Sequence, residues 1–159
     1  MTAGVDEECA GPRRLLTVTG MTTLTATDIP EITDAERAER LLAAGADWSA
    51  RIDADRTAAH LTYRVDGVGE GAVATRLRAG RHEFVIDEPA ALAGDDVAAS
   101  PVEIALGALI GCQVVVYRLY AQVLGIQVDD VRVRAEGDLD AARLLGKDPS
   151  VRPGFSGIR

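Results

Sequence analysis

The stretch Ser100 to Leu124, SPVEIALGALIGCQVVVYRLYAQVL, constrains the fold more than any other part of this chain. It reads as one long helix with well-specified ends. Ser100 suits the N-cap, and Pro101 takes the first helical position, where its missing N–H costs nothing. Glu103 completes a capping box with Ser100. Gly125 follows the last periodic residue and suits a left-handed stop. Between the caps, Glu103 and Arg118 are the only charged residues. At helical spacing Ala105, Ala108, Cys112, Val115, Leu119 and Val123 share one face. Gly107 and Gly111 leave another face nearly bare, which lets a neighbouring backbone approach closely, at a cost of about 1 kcal/mol per glycine. A helix apolar nearly all round is covered, either by protein or by lipid. Glu103, Gln113, Arg118 and Gln122 interrupt the run and no basic cluster follows it, so the reading is a central sandwiched helix and not a membrane span.

The chain has 159 residues, enough for one domain with a core. Its net charge of −8 argues against binding a phosphate backbone, and no basic cluster exceeds the pair Arg13-Arg14. The first residues carry no charged-then-apolar leader pattern, so a cytoplasmic location is expected. Cys9 and Cys112 stand far apart in unlike contexts and do not make a disulfide framework. Cys9 lies beside Glu7 and Glu8, which raise a thiol pKa and make it a poor nucleophile. With only His60 and His82 available, a Cys/His metal site lacks ligands. No nucleotide motif is present, so no cofactor is expected.

Residues 1–30 read as a loose extension and 31–159 as the domain. Thr33 to Glu36 forms a second capping box and opens a short amphipathic helix that is expected to stop at Gly45; a further helical turn or two is possible over Asp47 to Asp55. The period then changes to two. Strands are expected from Ala59 (AHLTYRV), from Ala72 (AVATRLRAG) and over Arg81 to Ile86, the first two as a hairpin. A loop marked by Pro89 and Gly94 leads to the long helix. Val128 to Gly137 alternates again and reads as a fourth strand. Residues 138–150 read as a loop with a helical turn, and Phe155 to Arg159 as the opening of another strand. The long helix lacks a second long helix to pack against. These features point to a domain that is incomplete or is completed by another subunit.

RHEFVIDEPAALAGDDVAASPVEIALGALIGC, YAQVLGIQVDDVRVRAEGDLD and VRPGFSGIR together resemble the OsmC/Ohr family of osmotically induced and organic-hydroperoxide-resistance proteins. The resemblance covers Thr57 to Arg159, and the helix before the sheet resembles a longer OsmC subgroup. It implies an α+β fold in which an antiparallel sheet wraps a long central helix and two copies intertwine as a homodimer. It also implies a thiol peroxidase. The family's first cysteine matches Cys112. A glutamate directly after the helix-opening proline is not matched, since Val102 stands there; Glu103 is next door. The family's activating arginine is not matched either, because Val85 and Ile86 lie nearest its place. Arg81 and Arg78 are the nearest candidates, and His82 is a candidate base. The second, resolving cysteine would lie beyond the chain, which ends roughly 40 residues short of the family's usual extent.

A peroxidatic cysteine reacts as the thiolate. Cys112 lies three turns inside its helix, beyond the reach of the helix dipole, so a positive partner has to lower its pKa. Two readings follow. One is a dimeric cysteine peroxidase with Cys112 as nucleophile and Arg81 and Glu103 as candidate assistants, which consumes an apolar organic hydroperoxide and a dithiol reductant. The other is a binding module of the same fold that holds a small apolar ligand near Cys112 without turnover.

Overall fold

Two capping boxes open the two long helices among the described residues. The structure is a computed structural model that describes residues 29–159, and the unit Glu31–Arg159 contains every helix and strand described. The first helix, α1, spans Asp34–Ala54. At its start the Thr33 backbone N–H donates to Glu36 Oε2 at 2.7 Å, and Glu36 N–H donates back to Thr33 Oγ1 at 3.2 Å. The expected stop at Gly45 does not occur: α1 runs through it. Ala43, Ala44 and Ala46 are strong helix formers and offset the cost of one glycine. Farther on, Arg51 pairs with Asp47 one turn earlier at 3.1 Å and lies 5.3 Å from the Trp48 ring. The helix stops at Asp55, whose carboxylate caps the following 3-10 turn by accepting from Thr57 N–H at 2.9 Å.

That turn, Arg56–Ala59, takes up the residues expected to begin the first strand. Strand β1 therefore starts later, at Val65, and ends at Glu70. It pairs antiparallel with β2 (Ala74–Ala79), which pairs antiparallel with β3 (His82–Ile86). The second hairpin closes through Gly80 and Arg81, with Ala79 opposite His82. Gly80 has φ +61° while Arg81 keeps a negative φ, the pattern of a two-residue turn that needs glycine first. At the other end, Arg76 grips Glu70 through two parallel hydrogen bonds of 2.7 and 2.9 Å.

The connection from β3 to the second helix, α2 (Pro101–Val123), is organised by Asp87. This side chain is only 2% exposed. Its Oδ2 accepts from the N–H groups of Asp95 at 3.0 Å and Val97 at 3.3 Å, and its own N–H donates to Ala99 O at 3.2 Å. The backbone N–H of Glu88, followed by those of Val97, Asp95 and Asp96, holds the carboxyl below its usual range against the opposing effect of burial. The loop so gathered carries strain, with Ala93 at φ +66° and Asp96 at φ +54°. A Cβ on Gly94 would stand 1.6 Å from the Glu88 carbonyl oxygen, so the loop closes only over glycine.

Beyond α2, Gly125 takes φ +65° as the helix stop. Of the expected strand over Val128 to Gly137 only the last residue is in a strand. The alternation suits a sheet, but residues 128–135 have no neighbouring strand among the described residues, and a strand exists only by pairing. The ladder begins at β4, Gly137–Leu139, which pairs antiparallel with β5, Phe155–Ile158. Glu136 and Arg159 extend it by exchanging backbone hydrogen bonds of 2.8 and 2.9 Å. Helices and antiparallel sheets make this an α+β chain.

Contrary to the expectation that α2 lacks a long helical neighbour, α1 packs against it, and no strand has more than marginal contact with it. One helix covers little. No apolar side chain among the described residues is fully buried. Leu106, Ile110, Val114 and Ala121 of α2 are half-buried, whereas Ala105, Ala108, Cys112, Val115 and Val123 are exposed. A Cβ at Gly107 or Gly111 would meet nothing within 4 Å. By length and mean hydropathy, 1.6 over its most apolar window, α2 is also the one helix among the described residues that is long and apolar enough to cross a membrane.

The Asp87 hub sets a pH dependence and a packing requirement. Its folded pKa lies below the unfolded value, so its contribution is complete above about pH 4 and is lost as pH falls toward the folded value. Urea unfolding monitored by circular dichroism should show a drop in stability below about pH 4 that is smaller in Asp87→Asn. Gly94→Ala should destabilise the chain by about 2 kcal/mol or more at neutral pH, because the obstacle is backbone.

Candidate functional site

The thiol of Cys112 sits mid-way along α2, roughly 18 Å along the axis from Ser100. The partial positive charge of the helix start does not reach that far. Cys112 is exposed and lies among the uncovered apolar residues of its face, Ala108 and Val115 nearest in the helical repeat. Among the described residues it has no hydrogen-bonding or charged partner. Cys9 lies outside the described residues.

Glu103 is committed elsewhere. Its Oε2 accepts from Ser100 N–H at 2.8 Å and from Ser100 Oγ at 2.7 Å, while its own N–H donates to Ser100 Oγ at 3.4 Å. The Ser100 hydroxyl, followed by its backbone N–H, holds the Glu103 carboxyl below its usual range. Glu103 is therefore an ionised cap, nine residues before Cys112. Val102 is exposed and brings no charge to the helix start.

Arg81, Arg78 and His82 gather at the tip of the β2–β3 hairpin. Arg81 occupies the turn itself, Arg78 Nε donates to the Gly80 carbonyl at 3.4 Å, and His82 opens β3. No hydrogen bond or ion pair links any of them to α2. The structure thus brings none of the named cations to Cys112 within one chain. The candidates stand as three separate groups: a thiol on an open helix face, a carboxylate in a cap, and guanidinium groups on an exposed turn. Among the described residues, no cluster of His, Cys, Asp and Glu side chains could hold a metal ion.

The structure does bring together residues that no motif marks. A cleft between the start of α1 and the end of α2 is lined by Arg37 and Arg118, with Asp34, Gln122, Leu41 and Ile126. The spacing of the α1 residues gives no hint of it. The one signal is that Arg118 is the sole cation in an otherwise apolar helix.

An α+β chain with a capped apolar helix, a thiol at its centre and a short antiparallel ladder after it defines the class. Comparison with known families makes that class particular: residues 94–159 match the family model described as OsmC-like protein. These residues resemble the OsmC-like family over less than half of the chain. They include α2, Cys112, β4 and β5, and exclude α1 and the three-stranded sheet. No curated protein matches the chain.

If Glu103 acts only as a cap, Glu103→Gln should lower the melting temperature yet leave the rate of Cys112 alkylation by iodoacetamide across pH 7–9 within about twofold of wild type, since cap electrostatics fade within the first turn. A displaced pH–rate curve would instead give Glu103 an influence on the thiol. Ser100→Ala, which removes the hydroxyl half of the same box, should cost about 1 kcal/mol.

Proposed function

We propose that this chain acts as an OsmC-like thiol peroxidase, assembled from two copies, that reduces organic hydroperoxides at Cys112. The observation that carries the reading is the position of Cys112, centred in the helix that the OsmC-like match spans. Its apolar surroundings suit an alkyl or aryl hydroperoxide better than hydrogen peroxide.

In the proposed reaction the Cys112 thiolate attacks the outer oxygen of ROOH. An S–O bond forms, the O–O bond breaks, and the alkoxide leaves and takes a proton as ROH. The sulfur is oxidised to a sulfenic acid and the peroxide is reduced. One thiol of an external dithiol then displaces water from the sulfenic acid. The second thiol of that dithiol attacks the mixed disulfide, restores Cys112 and leaves as an intramolecular disulfide. This cycle needs no second cysteine in the chain.

A second copy would also supply what the described residues of one chain lack, a cover for α2. Covering one valine contributes about 1.5–3 kcal/mol, so the exposed Val115 and Val123 are strong anchors. The bare strip at Gly107 and Gly111 permits the close approach such packing requires. Arg118, Gln113 and Gln122 within the helix favour a protein cover over a lipid one.

The alternative is a binding module of the same fold. It draws support from Glu103, which is engaged in its cap, and from the hairpin arginines, which have no link to α2.

Consumption of cumene hydroperoxide with dithiothreitol should be lost in Cys112→Ser, and the wild-type thiol should titrate well below the ~8.5 of a free cysteine. Equal turnover by wild type and variant would overturn the peroxidase reading; a thiol inert to pH 9 would favour the binding module. Sedimentation equilibrium should give a dimer, and Val115→Asp should weaken it by at least about tenfold, the equivalent of losing one buried valine.

A further inference from the structure

We propose that the cleft between the first turns of α1 and the last turns of α2 binds a small monocarboxylate with a compact apolar body. The cleft is separate from the thiol. Arg118 follows Cys112 by six residues, which places it about 9 Å farther along α2 and about 120° around it. It faces α1, the side of α2 that a single chain already occupies, so the inference does not depend on the peroxidase reading.

The charge balance of the lining points to an anion. Arg37 and Arg118 contribute two guanidinium groups and Asp34 one carboxylate, which leaves one uncompensated positive charge. That is unusual in a chain whose net charge is −8. Asp34 does not satisfy its neighbour. It pairs with Nη1 of Arg37, while the Nε of Arg37 is buried and has no hydrogen-bond partner among the described residues. Guanidinium groups match carboxylates closely, and the cleft presents one from each helix. Arg118 makes no ion pair among the described residues; its charge reaches Asp130 only at longer range. Of the two guanidinium groups, that of Arg118 is the one without an ion-pair partner among the described residues.

The rest of the lining sets the body of the ligand. Leu41 and Ile126, with the small Ala38 and Ala121, make the cleft largely apolar. Its volume is about 220 Å³. A 150 Å³ apolar cavity elsewhere holds benzene, so this one has room for a ring or a branched chain together with a carboxylate. A phosphate dianion would carry more charge than the single excess positive group balances, and it would leave the apolar walls uncovered.

Benzoate is the probe that tests the proposal, titrated into the full chain and followed by amide chemical shifts. Saturable shifts confined to residues 34–41 and 118–128 are expected. The neutral isostere benzamide should bind at least about tenfold more weakly, the effect of losing a charge-assisted hydrogen bond. Arg118→Gln, with an unchanged thermal melt, should weaken benzoate by a similar factor. The wild-type comparison of benzoate with benzamide stands even if the variant misfolds. Equal binding of the two probes, or equal binding of inorganic phosphate and benzoate, would overturn the proposal. So would the absence of localised shifts at saturating benzoate.

Discussion

Water meets the apolar face of α2 along Ala105, Ala108, Cys112, Val115 and Val123 in a single chain. That unmet burial governs the rest of the molecule. The helix is not held by a surrounding core, since no apolar side chain among the described residues is fully buried. It is held instead from its ends. The Ser100–Glu103 box fixes its start, Gly125 its stop, and α1 leans on part of its length. Polar interactions define the element, and hydrophobic contacts have yet to complete it.

Asp87 links that helix to the sheet. By gathering the N–H groups of Asp95 and Val97 it folds the loop after β3 back on itself, and through Ala99 it places Ser100 where the capping box can form. Strain at Ala93 and Asp96 persists because several hydrogen bonds over-determine the loop. Gly94 is part of the same closure, and the match to the OsmC-like family begins at that residue. The loop's geometry and the helix that carries Cys112 are therefore one structural problem.

The local rules were the legible part of the fold. Both capping boxes and the left-handed stop at Gly125 depend on residues a few positions apart, and the pattern of side chains states them directly. Long-range competition was not legible. Gly45 reads as a stop, but neighbouring alanines and the Asp47–Arg51 pair carry α1 past it. Ala59 reads as the start of a strand, but Asp55 draws Arg56–Ala59 into a 3-10 turn. Val128 to Gly137 has the period of a strand, but before Glu136 it finds no partner among the described residues. Of the candidate site, Cys112 is marked by its helix and Glu103 by its cap. The meeting of Arg37 with Arg118 has no sequence signature, because it depends on how two helices cross.

The chemistry of Cys112 turns on a conflict between cover and charge. Covering the α2 face removes water from the thiol, and burial alone raises a thiol pKa and suppresses the thiolate. A peroxidase thus needs its cover to bring a positive group with it. Among the described residues of one chain no such group pairs with Cys112. Glu103 carries the wrong charge and is capped, and Arg118 points toward α1. The hairpin tip with Arg78 and Arg81 is a compact, exposed guanidinium pair, carried by a sheet that leaves α2 free. On the dimeric reading, the partner that covers α2 has to supply the cation as well, and the hairpin tip of the second copy is the part of this chain suited to do so. A second copy that brought only apolar contacts would leave Cys112 a buried, protonated thiol, and the fold would then serve binding and not turnover.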